Sequence, residues 1–237
     1  MDAEPSIAAI AALVGDPARA RMLMALMDGR ARTAKELAYG AGVTPQTASS
    51  HLAKLLRAHV LVMERQSRHR YFRLATPSIG HAIEALMAVS FTRPRVRASE
   101  GQLDGLRFAR TCYDHLAGRL GVRVTDAMVR RRFLKPAGRD FYLTAAGVRF
   151  LERLGVDVKK TRRERRAFAR QCLDWSERRS HLAGALGAAV ARRCLDLRWV
   201  QPVREERTLA LTRQGLRGFR TWFGINSFPS RNSQHSA

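Results

Sequence analysis

Cysteine and histidine recur together in the second half of this 237-residue chain: Cys112 precedes His115, and Cys172 precedes His181. Thiolate sulfur and imidazole nitrogen are the side-chain donors that hold soft metals, metalloids and haem iron. Two thiols can instead oxidise, or take up a reactive sulfur species, and so act as a switch. A free cysteine is also a small apolar residue that fills cores, and that alternative stays open here for Cys194 as well. The sequence predicts Cys112 and His115 on a helix, where a spacing of three puts them on one face.

Both pairs belong to an internal duplication. Ala109, Cys112 and Asp114 align with Ala169, Cys172 and Asp174. After a six-residue insertion, His115-Leu-Ala-Gly118 aligns with His181-Leu-Ala-Gly184. Leu120-Gly121 then aligns with Leu186-Gly187, Pro136 with Pro202, Leu143-Thr144 with Leu211-Thr212, Gly147 with Gly215, and Gly155 with Gly224. Each unit reads as helix, glycine turn, second helix, hairpin around the proline, and a last helix capped by Thr144 or Thr212. That order predicts two degenerate winged-helix-like repeats, one over residues 100–158 and one over 166–226, entered through a linker at Arg93–Ser99. Residues 227–237 are polar and expected to be disordered.

The first part of the chain carries a different pattern. Ile7, Ile10, Ala11 and Val14 recur at helical spacing. Asp16-Pro17 is a cap followed by proline at the first helical position, and Met22, Leu23, Leu26 and Met27 follow on one face. Thr33 with Glu36 forms a capping-box pattern for a short helix that stops at Gly40-Ala-Gly42. Thr44-Pro45 opens another helix through about Arg57, with Ala48, Leu52, Leu55 and Leu56 inward. Two helices joined by a tight glycine-containing turn make a helix-turn-helix. Two β-rich runs, Val60–Arg65 and Arg70–Leu74, flank the basic turn Gln66–His69 and predict a hairpin wing.

From Met22 to Leu74 the chain resembles the DNA-binding core of the ArsR/SmtB bacterial repressors. The features that carry the resemblance are the Lys35-Glu-Leu-Ala38 helix, the segment Gly42–Leu61 and the wing closing in Arg70-Tyr-Phe-Arg-Leu74. The resemblance covers about residues 1–90 and implies a homodimeric repressor released from operator DNA by an inducer. It also implies a recognition helix in the major groove. Carried onto this chain, that helix offers Gln46, Thr47, Ser49, Ser50 and His51 to base edges and phosphates, with Lys54 and Arg57 for phosphates. Thr44 caps the helix and can touch a phosphate, and Arg68 and Arg70 of the wing reach the backbone or minor groove. Metal-sensing members of the family use a Cys-Val-Cys type pair before the recognition helix, but residues 31–37 contain no cysteine. They also use an Asp-x-His pair with His-x-x-Glu near the last helix. His81-Ala-Ile-Glu84 matches the second half, whereas Arg68 and Arg70 stand where the first would fall, and arginine cannot ligate zinc. The inducer therefore does not transfer with the family.

Composition agrees with a polyanion as partner. Lys and Arg number 43 against 20 Asp and Glu, for a net charge of +23. Residues 1–90 carry +4 of this and residues 91–237 carry +19. Such a field attracts nucleic acid, although a GC-rich genome also inflates arginine content. Arg130–Arg132, Arg162–Arg166 and Arg192-Arg193 either lengthen the DNA footprint through phosphate contacts or form a solvated basic surface. Three cysteines exclude a disulfide scaffold. No apolar run approaches the roughly 20 residues that span a bilayer, and the acidic start is no secretory signal, so a cytoplasmic location is expected. Enzyme signatures are missing: there is no phosphate loop, nucleophile elbow, His-Glu-x-x-His or Cys-x-x-Cys.

The expected fold is thus mostly α with small β-hairpin wings (α+β): a winged helix-turn-helix DNA-binding and dimerisation domain over 1–95, then the two repeats. The expected function is a non-enzymatic, sequence-specific DNA-binding regulator, a homodimeric repressor with double-stranded operator DNA as partner and no membrane contact. Its inducer would be a metal or metalloid, reactive sulfur or a small ligand. It would be sensed by Cys112, His115, Cys172 and His181, and the cofactor is a metal ion or none. The alternative is an architectural, nucleoid-type DNA binder without inducer, which would lack strong operator preference.

Overall fold

The computed structural model describes residues 7–89, 105–203, 207–226 and 228. The expected linker at 93–99 lies outside them, as does almost all of the tail. The chain divides into two compact units, residues 1–80 and 81–237.

The N-terminal unit runs α1 (Ile7–Val14), α2 (Pro17–Ala25), β1 (Arg32–Thr33), α3 (Ala34–Ala41), α4 (Pro45–Arg57), β2 (Leu61–Gln66) and β3 (His69–Leu74). Helix starts follow their caps. Asp16 accepts from the Arg19 N–H, and Thr33 and Glu36 close a reciprocal capping box on α3. Thr44 accepts from Thr47 at the head of α4. Gly42, at φ 67°, ends α3 in the left-handed conformation that turns the chain into α4. Met22, Leu23, Leu26 and Met27 are buried, as are Leu37 and Ala41 of α3 and Leu52 and Leu55 of α4. The wing strands pair antiparallel from Leu61↔Leu74 to Gln66↔His69, and β1 adds on the other side of β3. Arg19 holds the end of α1 by donating to the carbonyls of Ala12 and Leu13. No residue of α1 is buried, and Ile7 is 85% exposed.

Helix α5 (Pro77–Val89) starts in the first unit and continues into the second. There follow β4 (Arg110–Cys112), β5 (His115–Ala117), α6 (Gly118–Arg130), β6 (Leu134–Ala137), β7 (Asp140–Leu143), α7 (Ala145–Leu154) and α8 (Val158–Arg162). The second repeat gives β8 (Arg170–Leu173), β9 (Ser180–Ala183), α9 (Gly184–Asp196), β10 (Val200–Pro202), β11 (Leu209–Leu211) and α10 (Arg213–Gly218), closed by a π-helical turn at Phe219–Phe223. The duplication is therefore physical: hairpin, helix, hairpin, helix, twice. Strand β7 joins β8 through Asp140↔Arg170, which makes one four-stranded sheet from both repeats. One hydrophobic core also serves both, with Leu120, Val124 and Phe150 from the first and Leu186, Val190, Trp199 and Phe223 from the second.

One expectation is corrected. The Cys/His segments are not helices but the hairpins β4–β5 and β8–β9, so each repeat opens on a hairpin. Three- and four-residue strands are too short to display period-two alternation, and their turn residues, Tyr113-Asp114 in the first, lack glycine and proline. The glycine after each hairpin is where the helix starts: Gly118 and Gly184 sit at φ 74° and 76°. A Cβ there would fall 2.6 Å from the Arg107 carbonyl oxygen or 2.5 Å from that of Ala167. The hairpins around Pro136 and Pro202 form as expected, and so do the Thr144 and Thr212 caps.

Candidate functional site

Helix α4 and the wing make a polar, basic face. Thr44, Gln46, Thr47, Ser49, Ser50, Lys54 and Arg57 are exposed, as are Arg68 and Arg70 on the wing. Ala48, Leu52 and Leu55 of the same helix are buried, so the helical period itself turns the polar residues outward. Three hydroxyls are already engaged. Thr44 Oγ1 bonds Thr47 Oγ1 at 2.9 Å, and Ser49 Oγ donates to the Pro45 carbonyl. His51 departs from the expectation of an outward base-reading residue. Its side chain is only 14% exposed, Nδ1 lies 3.2 Å from Arg19 Nη1, and Nε2 lies 3.9 Å from Asp16. The physical reason is its position one turn before Leu55, where it is drawn against the α2 cap rather than into solvent.

The second site lies within the C-terminal unit. Strand register places Cys112 directly opposite His115, and Cys172 directly opposite His181. Residues facing each other across an antiparallel pair project on the same side, so each hairpin presents one thiol and one imidazole together. Two residues separate the first pair in sequence and eight the second; the longer loop 174–179 absorbs the difference. The duplication then brings the hairpins face to face. His115 Nε2 is 3.1 Å from His181 Nε2, and Cys112 Sγ is 3.8 Å from Cys172 Sγ. One donor atom from each of the four lies within 4.8 Å of the others. Cys112, His115 and His181 are fully buried and Cys172 is 9% exposed. Ala117 and Ala183 complete the small apolar cluster with the two cysteines.

Behind each imidazole stands an aspartate. Asp114 Oδ1 lies 3.2 Å from His115 Nδ1, and Asp114 Oδ2 accepts from Arg166. Asp174 Oδ2 lies 3.6 Å from His181 Nδ1. Asp174 is fully buried and accepts from Arg110 at 2.9 Å, from the Gly118 N–H at 2.6 Å, from the Ser176 hydroxyl and from the backbone of Ser176 and Glu177. Burial works to raise the Asp174 carboxyl, but Arg110 and these donors hold it down at about 2. Burial likewise works to lower His115, and Asp114 and Cys172 override it, to about 9. The Cys112 thiol is pushed up by burial, whereas its hydrogen bond and the two imidazoles draw Cys172 down toward thiolate. Cys194 stands apart in the core, its thiol raised by burial to about 12, and behaves as a packing residue.

All four Cys/His residues singled out in the sequence are thus brought together. What sequence reasoning missed is the role of Asp114 and Asp174, although their recurrence at matching positions was the available signal. His81, which the sequence offered only as half of a family metal motif, stands beside them: this half-buried residue of α5 sets its ring edge-on to His115 at 5.6 Å, and its Nε2 has no hydrogen-bond partner among the described residues. One turn on, Glu84 is buried and ion-paired with Arg207.

A helix-turn-helix whose second helix turns its polar side outward, backed by a basic wing, defines a winged-helix DNA-binding protein, and residues 22–74 are the part that resembles the ArsR/SmtB repressors. Residues 14–64 match the family model for a helix-turn-helix domain. Over 213 residues, 89% of this chain and 94% of the other, the sequence is 44% identical to the uncharacterised HTH-type transcriptional regulator YdfF of Bacillus subtilis (strain 168). Among solved structures, the cadmium metal-sensor CMTR from Mycobacterium tuberculosis is similar at 26% identity and TM-score 0.32, over 40% of this chain and 99% of that one. The homodimeric winged helix-turn-helix fragment of Mb0332 from Mycobacterium bovis is similar at 18% identity and TM-score 0.33, over 38% and 89%. The chain belongs to the HTH-type transcriptional regulators. No helix among the described residues is long and apolar enough to cross a membrane.

Proposed function

We propose that this DNA-binding regulator is a homodimeric cytoplasmic repressor, released from its operator when an inducer engages Cys112, His115, Cys172 and His181. The observation that carries the proposal is the convergence of two thiols and two imidazoles, from both repeats, on one buried point. Packing alone calls for no such set. Four polar donors withdrawn from water are costly unless a ligand or one another satisfies them. Helix α5 supplies covalent continuity between the wing and this centre, since it runs from Pro77 to His81 and Glu84. Gln46, Thr47 and Ser50 would read base edges, while Thr44, Lys54, Arg57, Arg68 and Arg70 would hold phosphates. Ser49 and His51 contribute less, because Ser49 Oγ gives its one proton to the Pro45 carbonyl and the His51 side chain, 14% exposed, is turned against Arg19.

Gel shifts on the chain's own promoter region and on a scrambled duplex test this. A repressor should prefer the operator by a factor on the order of 10³ or more. Gln46→Ala should cost about 1–3 kcal/mol of that discrimination. Arg68→Ala should weaken both duplexes alike and lower the salt slope by about one unit. Equal affinity of the unmodified protein for both duplexes would instead favour the architectural reading.

A further inference from the structure

The repressor reading leaves the ligand of the Cys/His centre open; the geometry points to one. We infer that Cys112 Sγ, Cys172 Sγ, His115 Nε2 and His181 Nε2 form a closed tetrahedral site for a single thiophilic divalent cation of the zinc or cadmium kind. The inference deepens the proposed sensor reading at the same site and rests on it only for the claim of regulation; the ion site stands on its own geometry.

Three features of the centre carry it. The first is spacing. A tetrahedral ion with Zn–S of about 2.3 Å sets its two sulfurs about 3.8 Å apart, and Zn–N of about 2.0–2.1 Å sets two nitrogens about 3.3 Å apart. The observed separations are 3.8 Å between sulfurs and 3.1 Å between nitrogens. The second is polarity. Carboxylates only accept hydrogen bonds, so Asp114, 3.2 Å from His115 Nδ1, favours a proton there. Asp174 faces His181 Nδ1 at 3.6 Å, beyond hydrogen-bond reach, and that buried nitrogen has no hydrogen-bond partner among the described residues. The two Nε2 atoms face each other across 3.1 Å, close enough for one proton to bridge them. A cation between the rings and the sulfurs takes the place of that proton. An aspartate behind each metal-bound imidazole is also the arrangement that fixes the tautomer and orients the ring. The third is charge. Two thiolates neutralise a divalent ion, and each flanking aspartate already has its arginine, Arg166 or Arg110. Loading therefore releases two protons to solvent, one from the Cys112 thiol and one shared by Cys172 and the imidazoles, and leaves a neutral buried centre, which a dry site requires. A disulfide between Cys112 and Cys172 would use the sulfurs but give the paired histidines no task, and it would need an external oxidant. With every ligand buried and all four positions supplied by protein, the site leaves no open coordination place for catalysis.

The full-length chain, purified anaerobically and stripped with chelator, is titrated with Co2+ and then with Cd2+. The expected result is one equivalent bound per chain, with the intense visible bands of tetrahedral cobalt, replaced on cadmium addition by a thiolate charge-transfer band. X-ray absorption of the unmutated zinc-loaded protein should show two sulfur and two nitrogen neighbours, a readout that needs no variant to fold. Cys112→Ser/Cys172→Ser should abolish the bands, Cys194→Ser should retain them, and Asp114→Asn should weaken cadmium binding by about 10–100-fold. A weak octahedral cobalt spectrum, a shell without sulfur, or bands that survive the double cysteine variant would overturn the site. So would a Cys112–Cys172 disulfide in protein that takes up no metal. Operator gel shifts on the same samples separate the two readings. Metal bound with operator affinity unchanged upholds the ion site and overturns sensing; no metal bound, with operator binding intact, overturns the ion site alone.

Discussion

The two aspartates behind the histidines look equivalent by alignment but differ in what holds them. Asp174 and Arg110 are both fully buried, and Arg110 also lies over the Trp175 ring at 4.4 Å. Removing one charge of such a pair strands the other in the interior, which costs about 3–5 kcal/mol. Asp114 and Arg166 keep 27% and 21% of their side chains exposed, and water can reach either partner. A partly exposed pair is worth only about 1 kcal/mol or less. Asp174→Asn should therefore lower the stability of the C-terminal unit by several times as much as Asp114→Asn, in urea titrations followed by tryptophan fluorescence. Equal midpoints for the two variants would show that Arg110 finds another partner. At this scale the chemistry was legible in the chain: Cys112, His115, Cys172 and His181 announce themselves by recurring together. Distances were not legible, because a sequence repeat states equivalence and not proximity. The two halves meet only because they share one core.

The helices of the first unit were readable because their caps are strong local signals. Thr33 with Glu36 and Thr44 before Pro45 fix α3 and α4 whatever lies around them. The Cys/His hairpins were not readable, because strand pairing is a non-local choice and each strand spans only three or four residues. The glycines that follow them carry the missing information. Gly184 sits at φ 76°, and a Cβ there would fall 2.5 Å from the backbone oxygen of Ala167, which cannot swing aside. Gly138, in the β6–β7 turn, has φ 59° but open space around it. Gly138→Ala should cost only the left-handed penalty of about 1–2 kcal/mol. Gly184→Ala adds a backbone collision that must displace β9 from α9, and with it His181. It should lower the midpoint in thermal melts by clearly more than Gly138→Ala and also weaken cobalt uptake. If both variants melt together, the approach of Ala167 to the helix start is not a constraint on the hairpin.

For the molecule as a whole, the unsatisfied feature is apolar rather than charged. Helix α1 buries none of its residues, with Ile7 85% and Ile10 50% exposed, and α5 leaves Leu86 and Val89 at 51% and 64%. A regulator reading a two-fold operator needs a second copy, and half-sites lie about one helical turn of DNA apart. Covering Ile7 and Ile10 in a dimer would return up to about 25 cal/mol for each Å² of apolar surface removed from water. Ile7→Ser/Ile10→Ser should therefore turn a dimer into a monomer in sedimentation at micromolar concentration. The N-terminal unit should keep its own stability, because neither side chain contributes to the core built on Met22, Leu37 and Leu52. Operator affinity should fall further than the affinity for a single half-site, since only the former depends on two recognition helices acting together. Unchanged sedimentation of the double variant would mean that α1 is not the dimer surface. In that case the exposed end of α5, reached by Leu86→Ser/Val89→Ser, becomes the surface on which the same test must succeed.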